Sequence, residues 1–316
     1  MTQLLLHLAD FNERRWAEGF AAALPDVQVV TRADDFDPAT IDYIFIWKPA
    51  PDAFEGMDNL KAVLSLGAGA DALLRHPHLP AGVPIVRFMD AHLAQCMSDY
   101  VVSQVTMHQR LELRFRRQQK TREWKQLYPA AAWEANVGVM GLGSLGQNVI
   151  GKLRALGFAL RGWSRSEKQI EGVETFAGAA AFDAFLSGTD ILVNLLPLTE
   201  ETQGILNYET FGKLKQGGLD GWGPVIVNAG RGGHQREADI IRALDDGILK
   251  AASLDVFEVE PLPQQSPLWD RDDVFITPHI AAASNEHTGV AYFSKVIRDH
   301  LAGKPLPNVI DVARGY

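Results

Sequence analysis

The stretch Val137-Gly138-Val139-Met140-Gly141-Leu142-Gly143-Ser144-Leu145-Gly146 runs a short apolar segment directly into G-x-G-x-x-G. Leu145, Val149, Leu153 and Leu156 then recur on one helical face, and Gly157 stands where a helix stop would fall. Strand, glycine turn and amphipathic helix in that order are the context a dinucleotide-binding βα unit requires. Gly141 permits the tight turn, Gly143 lets the backbone approach a pyrophosphate, and Gly146 lets helix and strand pack closely, with the helix N-terminus facing the phosphates. A glycine-rich βα turn in an unrelated α/β protein is the competing reading.

The next apolar run, Phe158 to Trp163, ends in Trp163-Ser164-Arg165-Ser166. A site reading the free ribose of NAD carries a carboxylate about 20 residues beyond the glycines. None stands here. Ser164, Ser166, Arg165 and the nearby Lys168 instead suit a 2′-phosphate, because a guanidinium pairs with phosphate through two hydrogen bonds, which points to NADPH. A solvated basic turn is the alternative. Further runs follow at Ile191–Leu196, Val225–Asn228, Ala251–Val256 and Val274–Thr277. Three segments at or after their ends carry chemistry: Val227-Asn228-Ala229-Gly230-Arg231-Gly232, Leu254-Asp255-Val256-Phe257-Glu258-Val259-Glu260-Pro261, and Ile276-Thr277-Pro278-His279-Ile280. On the carboxyl edge of one parallel sheet they would bring a cation, a carboxylate and an imidazole beside a bound nicotinamide. Taken singly, Arg231 also reads as a surface ion-pair partner, Glu260 as a loop carboxylate and His279 as a hydrogen-bonded core histidine.

The first hundred residues repeat the alternation, with strands expected at Leu4–Leu8, Val27–Val30, Ile41–Ile46, Ala62–Leu66 and Val83–Phe88. The loops Trp47-Lys48-Pro49-Ala50-Pro51 and Gly67-Ala68-Gly69-Ala70-Asp71 leave two of these strands, where such sheets bind ligands. Ser98 to Lys120 lacks Pro and Gly and reads as one long helix through Val101, Val105, Leu111 and Phe115; a last helix is expected from Ser284 to Ala302, with Gly303 as its stop. The fold class is α/β, with two doubly wound parallel-sheet domains. Residues 1–99 plus 284–316 form a flavodoxin-like substrate domain, and 100–283 a Rossmann dinucleotide-binding domain.

Composition narrows the partners. The 316 residues carry 30 Lys plus Arg against 39 Asp plus Glu, a formal charge of −9 with no like-charge block, which argues against nucleic acid and anionic membranes. A hydrophobic fraction of 47% belongs to a folded chain. Cys96 has no partner for an internal disulfide, and the nine histidines show no metal-ligand spacing, so no metal is expected. The opening MTQLLLHLAD lacks a basic n-region and a cleavage site, and no apolar run approaches the roughly 18 to 20 residues of a membrane span. A cytoplasmic protein is the expectation.

The turn at Gly67–Asp71, the Gly141–Gly146 loop, Asn194-Leu195-Leu196-Pro197-Leu198-Thr199 and the three exit segments, in this order, resemble the D-isomer-specific 2-hydroxy-acid dehydrogenase family over nearly the whole chain. Within it, Trp163-Ser164-Arg165-Ser166, Leu254-Asp255-Val256-Phe257, Ser266-Pro267-Leu268-Trp269 and the ending Ala313-Arg314-Gly315-Tyr316 resemble the members that reduce glyoxylate and hydroxypyruvate. The resemblance implies an NADP-dependent oxidoreductase for small 2-keto acids. It assigns Arg231 to the keto and carboxylate oxygens, His279 to protonation of the carbonyl oxygen, Glu260 to a hydrogen bond with His279, and Asp255 to the nicotinamide carboxamide. Ser144, Leu145, Leu196, Pro197, Thr202 and Ala229 fall to the cofactor, and the backbone of Gly67, Ala68 and Gly69 to the substrate carboxylate. Trp47 bounds the substrate or is a packed aromatic; Arg87 is a second carboxylate contact or a surface arginine. A homodimer is implied; Trp124 and Tyr128 either reach a partner's cleft, as aromatic residues of this region do in some relatives, or take no part in the site. NAD-dependent oxidation of a D-2-hydroxy acid and a cofactor-sensing corepressor are the other functions found on this pattern. The turn Gly217-Gly218-Leu219-Asp220-Gly221-Trp222-Gly223 is an expansion relative to the family and leaves the local loop geometry open.

Overall fold

Leu4-Leu5-Leu6 and Ile44-Phe45-Ile46 are apolar without alternation, the pattern of strands covered on both faces. The computed structural model places them in neighbouring parallel strands. It describes residues 1–67, 69, 71–282 and 284–312, so Ala68 and the ending Ala313-Arg314-Gly315-Tyr316 lie outside the described residues. The chain divides into two units, Met1–Leu93 with Ser284–Tyr316, and Ala94–Ala283. The first crossing falls at 93/94 rather than the expected 99/100, inside the continuous helix Ala91–Gln109, where no loop marks it.

In the first unit the described residues form a five-stranded parallel sheet. Its strands are β1 (Thr2–Leu8), β2 (Val27–Thr31), β3 (Tyr43–Trp47), β4 (Ala62–Ser65) and β5 (Ile85–Arg87), in the order β2-β1-β3-β4-β5. This is the flavodoxin-like order, whose switch point lies between β1 and β3. One face packs on the helices Glu13–Ala23 and Glu286–Leu301 through Phe20, Phe45 and Phe293, with ring centroids 5.0 and 5.1 Å apart. Gly289 permits that packing, since a Cβ there would lie 2.8 Å from the Trp16 indole. Asn12 and Asn285 cap the two helices, and Gly303, at φ 82°, follows the second. The other face buries Leu5, Ile44, Ile46, Phe54, Val63 and Ile85.

The second unit holds seven described strands, all parallel, in the order β12-β11-β10-β9-β6-β7-β8. They are β6 (Asn136–Met140), β7 (Ala159–Ser164), β8 (Glu174–Ala177), β9 (Ile191–Asn194), β10 (Val225–Asn228), β11 (Ala251–Leu254) and β12 (Val274–Ile276). The order is that of a dinucleotide-binding sheet, reversing between β6 and β9. Met140, Asn194, Asn228, Leu254 and Ile276 are register partners along one row, so the loops after β6, β9, β10, β11 and β12 all leave from the same edge.

Two sequence expectations change. The segment 98–120 is not one helix but two, Ala91–Gln109 and Glu112–Thr121, broken where Leu111 takes a left-handed φ of 62°. Leu111 is buried, and its left-handed backbone cannot continue a right-handed helix, so the two helices part there. β8 is an edge strand absent from the sequence reading. Among the described residues no helix is long and apolar enough to cross a membrane.

Candidate active site

The glycine loop sits at the switch point of the second sheet. Gly141 has φ 99°, and a Cβ on it would lie 2.7 Å from the Leu195 carbonyl, so the loops after β6 and β9 touch there. A Cβ on Gly146 would lie 1.9 Å from the Gly141 carbonyl. Gly143, by contrast, caps the helix Ser144–Ala155 with nothing within 4 Å of where its Cβ would be. Two of the three glycines therefore close the turn on the protein, and the third leaves an open approach, which fits a pyrophosphate lying over the helix N-terminus. Ser144 is exposed and Leu145 half-buried beside it.

At the end of β7 the Ser164 hydroxyl donates to the Ser166 carbonyl at 2.8 Å, so it shapes the turn, while Arg165 and Ser166 are exposed at its tip. Lys168 folds back, its Nζ donating to the Leu142 carbonyl at 2.8 Å within the glycine loop. The basic turn and the loop are thus neighbours. After β9, Leu196 donates its N–H to the Asn194 side chain at 3.2 Å, and the Thr202 hydroxyl donates to the Pro197 carbonyl at 2.8 Å, bracing this segment.

Sequence reasoning misses a buried polar network that holds the Arg231 loop. Asn194 Nδ2 donates to Asn228 Oδ1 and to His234 Nδ1, each at 2.9 Å. Asn228 Nδ2 donates to Gln235 Oε1 at 2.8 Å, and Gln235 Nε2 to the Val256 carbonyl at 2.9 Å. His234 Nδ1 also accepts the Arg231 N–H at 3.1 Å, and its Nε2 faces the Pro197 carbonyl at 3.1 Å, which fixes the neutral tautomer with its proton on Nε2. All four network side chains are buried. Their only sequence signal is an asparagine closing each of two apolar runs. Gly232 meets Phe257 so closely that a Cβ would fall 1.7 Å from the Phe257 carbonyl, which presses the Arg231 loop against the segment leading to Glu260. Ala229 is buried, and Arg231 Nη1 donates to the Gly230 carbonyl at 2.8 Å.

Asp255, 1% exposed, is bound over the next loop: Oδ1 accepts from the Thr277 hydroxyl at 2.6 Å and from Ile280 N–H at 2.9 Å, and Oδ2 accepts Ala281 N–H at 2.9 Å. Burial raises its pKa, opposed by these bonds and by His279. The Tyr100 hydroxyl meets Thr277 Oγ1 at 2.9 Å, and burial raises that phenol as well. His279, at φ 56°, donates its backbone N–H to the Asp255 carbonyl at 2.8 Å. Its Nδ1 stands 2.7 Å from Glu260 Oε2, while Glu260 Oε1 accepts Phe257 N–H at 3.1 Å. Both side chains keep about a third of their surface exposed, so the pair is open to solvent rather than sealed in the core. With Nδ1 held by a carboxylate, Nε2 is the atom left to face a ligand.

In the first unit, Trp47 ends β3 beside the switch point, and its indole lies against Gly67, where a Cβ would fall 2.6 Å from the ring. Phe11 approaches Trp47 edge-on at 6.5 Å. The structure thus joins two of the expected substrate residues, with Gly69 partly exposed beyond them. Arg87 ends β5 half-buried, its carbonyl accepting from the Tyr292 hydroxyl at 3.4 Å. Trp124 and Tyr128 lie in the second unit, 98% and 76% exposed.

Comparison with known proteins bears on the whole chain. The sequence model of the D-isomer specific 2-hydroxyacid dehydrogenase NAD binding domain matches residues 102–281. Glyoxylate/hydroxypyruvate reductase A of Serratia proteamaculans is 41% identical over 312 residues, covering 97% of each chain. The crystal structure of the NADPH-dependent glyoxylate/hydroxypyruvate reductase of Sinorhizobium meliloti, in complex with NADP and sulfate, superposes with a TM-score of 0.94 at 44% identity over 100% of both chains. A probable 2-hydroxyacid dehydrogenase of Rhizobium etli, in complex with NADP, HEPES and L(+)-tartaric acid, does so with a TM-score of 0.92 at 45% identity, again over 100% of both. The chain belongs to the D-isomer-specific 2-hydroxyacid dehydrogenase family.

Proposed function

We propose that this chain is an NADPH-dependent reductase of small 2-keto acids, with glyoxylate and hydroxypyruvate as substrates and glycolate and D-glycerate as products. The observation that carries the reading is the 2.7 Å contact of Glu260 with His279, on the sheet edge that also carries Arg231 and the glycine loop. Relatives of this length and similarity are named for that reaction and are crystallised with NADP.

The residues of the glycine loop, with Arg165, Ser166 and Lys168, would hold the dinucleotide, and Asp255 would mark the nicotinamide end. When bound, the reduced nicotinamide supplies the hydride. Arg231 binds the keto and carboxylate oxygens, and its charge favours the alkoxide that develops on the carbonyl oxygen over the neutral carbonyl, so it acts on the transition state more than on the ground state. His279 delivers a proton from Nε2 to that oxygen. Glu260 receives Nδ1–H, which orients the ring and stabilises the imidazolium that can donate. Trp47 and the backbone of Gly67 and Gly69 are proposed as substrate contacts of the first unit.

The test is direct. The purified protein is incubated with glyoxylate or hydroxypyruvate and NADPH, and the loss of reduced-nicotinamide absorbance is followed, with NADH in parallel. Turnover of both keto acids with NADPH is expected; a protein that binds NADPH but turns over neither would overturn the reading.

A further inference from the structure

The loop that leaves β3, Trp47-Lys48-Pro49-Ala50-Pro51, is fixed at one residue by two histidines. Ala50 donates its N–H to His7 Nε2 at 3.0 Å, and the Ala50 carbonyl meets His76 Nε2 at 2.9 Å. His7 lies in β1 and is 4% exposed; His76 follows the helix Asp71–Leu74 and sets its ring edge-on to Phe54 at 5.0 Å. His76 Nδ1 accepts the His78 N–H at 3.3 Å. A backbone N–H only donates and a carbonyl only accepts, so both tautomers follow: His7 is neutral with a lone pair on Nε2, and His76 carries its proton on Nε2.

Three residues upstream, the Trp47 carbonyl accepts Ala9 N–H at 3.2 Å, and the indole rests on Gly67. The span from Trp47 to Ala50 is therefore held at both ends. Between them Lys48 has φ 51°, a backbone state that a lysine keeps only where its flanks are fixed, and its Nζ pairs with Asp10 at 2.7 Å.

We propose that His7 and His76 are positioning residues for Trp47 in substrate recognition, acting by clamping Ala50, and that protonation of His7 at acid pH releases the clamp. The proposal rests on the reading of Trp47 as a substrate contact. A proton on His7 Nε2 would set N–H against N–H across 3.0 Å. The groups facing His7 are Arg32 after β2, Glu13 on the first helix, Asp52 in the loop after β3, and His76. Burial first, then Arg32 and His76, disfavour the cation, against Glu13 and Asp52, which places release on the acid side.

His7→Gln keeps an acceptor oxygen near the position of Nε2 and does not titrate, whereas His7→Leu removes the acceptor. At saturating NADPH and neutral pH, His7→Leu should raise KM for glyoxylate roughly tenfold, with kcat and KM for NADPH little changed, and His7→Gln should stay near wild type. On acidification KM should rise in the wild type and stay flat in His7→Gln. Hydrogen–deuterium exchange at Ala50 should quicken in His7→Leu and not in His7→Gln. Unchanged exchange in His7→Leu overturns the clamp, and quickened exchange with unchanged KM overturns its role in recognition. Trp47→Ala separates the two readings: if it too leaves KM unchanged, the assignment of Trp47 falls while the exchange result still judges the clamp. Should His7→Leu not fold, His76→Leu, which removes the donor to the Ala50 carbonyl, is read in the same way.

Discussion

Nδ1 of His279 and Oε2 of Glu260 stand 2.7 Å apart; Glu260 Oε1 also accepts Phe257 N–H from its own segment, and the His279 backbone N–H is tied to the Asp255 carbonyl. The pair is oriented before any ligand arrives. As general acids contribute about 10² to 10⁴ in rate, His279→Gln should lower kcat for glyoxylate reduction within that range. Glu260→Gln should cost less, since it leaves a ring that can still donate from Nε2 but without a carboxylate to stabilise its cation. Steady-state kinetics decide: a His279→Gln variant keeping more than roughly a tenth of wild-type kcat, above the range for a general acid, would show that the proton comes from elsewhere.

Arg231 is set by the buried Asn194–Asn228–His234–Gln235 network and by the approach of Gly232 to Phe257, and is assigned to the substrate rather than to the dinucleotide. Arg231→Ala should therefore lower kcat/KM for glyoxylate by about 10² to 10³, the cost of losing one stabilising group at a developing oxyanion. NADPH affinity, followed by the fluorescence change on titration, should stay within about twofold, far below the tenfold that 1.4 kcal/mol represents. Parallel losses in coenzyme binding and catalysis would place Arg231 in the structure of the loop rather than on the substrate.

The three glycines of the dinucleotide loop make a contrast within a few residues. Gly146→Ala sets a methyl 1.9 Å from the Gly141 carbonyl and should destabilise the second unit by about 1 to 3 kcal/mol, the range for overpacking, read as a lower thermal midpoint. Gly143→Ala meets nothing within 4 Å and should leave the midpoint unchanged while weakening NADPH binding, because the methyl occupies the open approach. Equal effects on stability in the two variants would argue against this division of roles.

Sequence legibility follows from how local each cause is. The two sheets are readable because Leu4–Leu6, Ile44–Ile46 and Val225–Val227 are apolar on both faces, a property of consecutive residues. β8 is not: Glu174-Thr175-Phe176-Ala177 is a four-residue edge strand with only β7 beside it, so no apolar run announces it. Arg231, Glu260 and His279 are readable as polar residues after apolar runs. What orients them is not, because Asn194 with His234, Asp255 with Ala281, and His7 with Ala50 are joined across 40, 26 and 43 positions with no periodic spacing to mark the pair.

His108 supplies a pH test of the fold that is independent of catalysis. Its ring is buried, Nε2 donates to Ser253 Oγ at 2.8 Å, and the Ser253 hydroxyl in turn donates to Gln104 Oε1 at 2.9 Å. Burial pushes its pKa down to about 4 from an ordinary 6.5. As pH falls the unfolded chain takes up this proton first, so stability present above about 6.5 is lost progressively towards 4. At about 1.4 kcal/mol per pH unit the full loss is roughly 3 kcal/mol. Urea unfolding across that window should show a shallower fall in His108→Gln than in the wild type; identical slopes would mean that the ring titrates normally.

Coenzyme choice should lie in the turn after β7. Ser164 spends its hydroxyl proton on the Ser166 carbonyl, and Lys168 donates one of its three N–H groups to Leu142, so Arg165 and Ser166 are the exposed donors at the tip. If they hold a 2′-phosphate, kcat/KM for NADPH exceeds that for NADH in the wild type. Arg165→Ala should erode the preference mainly through KM for NADPH, leaving NADH kinetics nearly unchanged. A charge-assisted hydrogen bond contributes about 1.5 to 3 kcal/mol, enough for roughly tenfold or more in affinity. Arg165→Lys should recover only part of it, because an ammonium cannot make the two parallel bonds of a guanidinium. Lys168→Met should cost less than Arg165→Ala on the phosphate side, since Lys168 is already partly engaged with the loop, but should weaken both coenzymes by loosening the Leu142 turn. Kinetics with both coenzymes on the wild type and the three variants measure all of this, and equal NADH and NADPH efficiency in the wild type would end the argument for a phosphate site here.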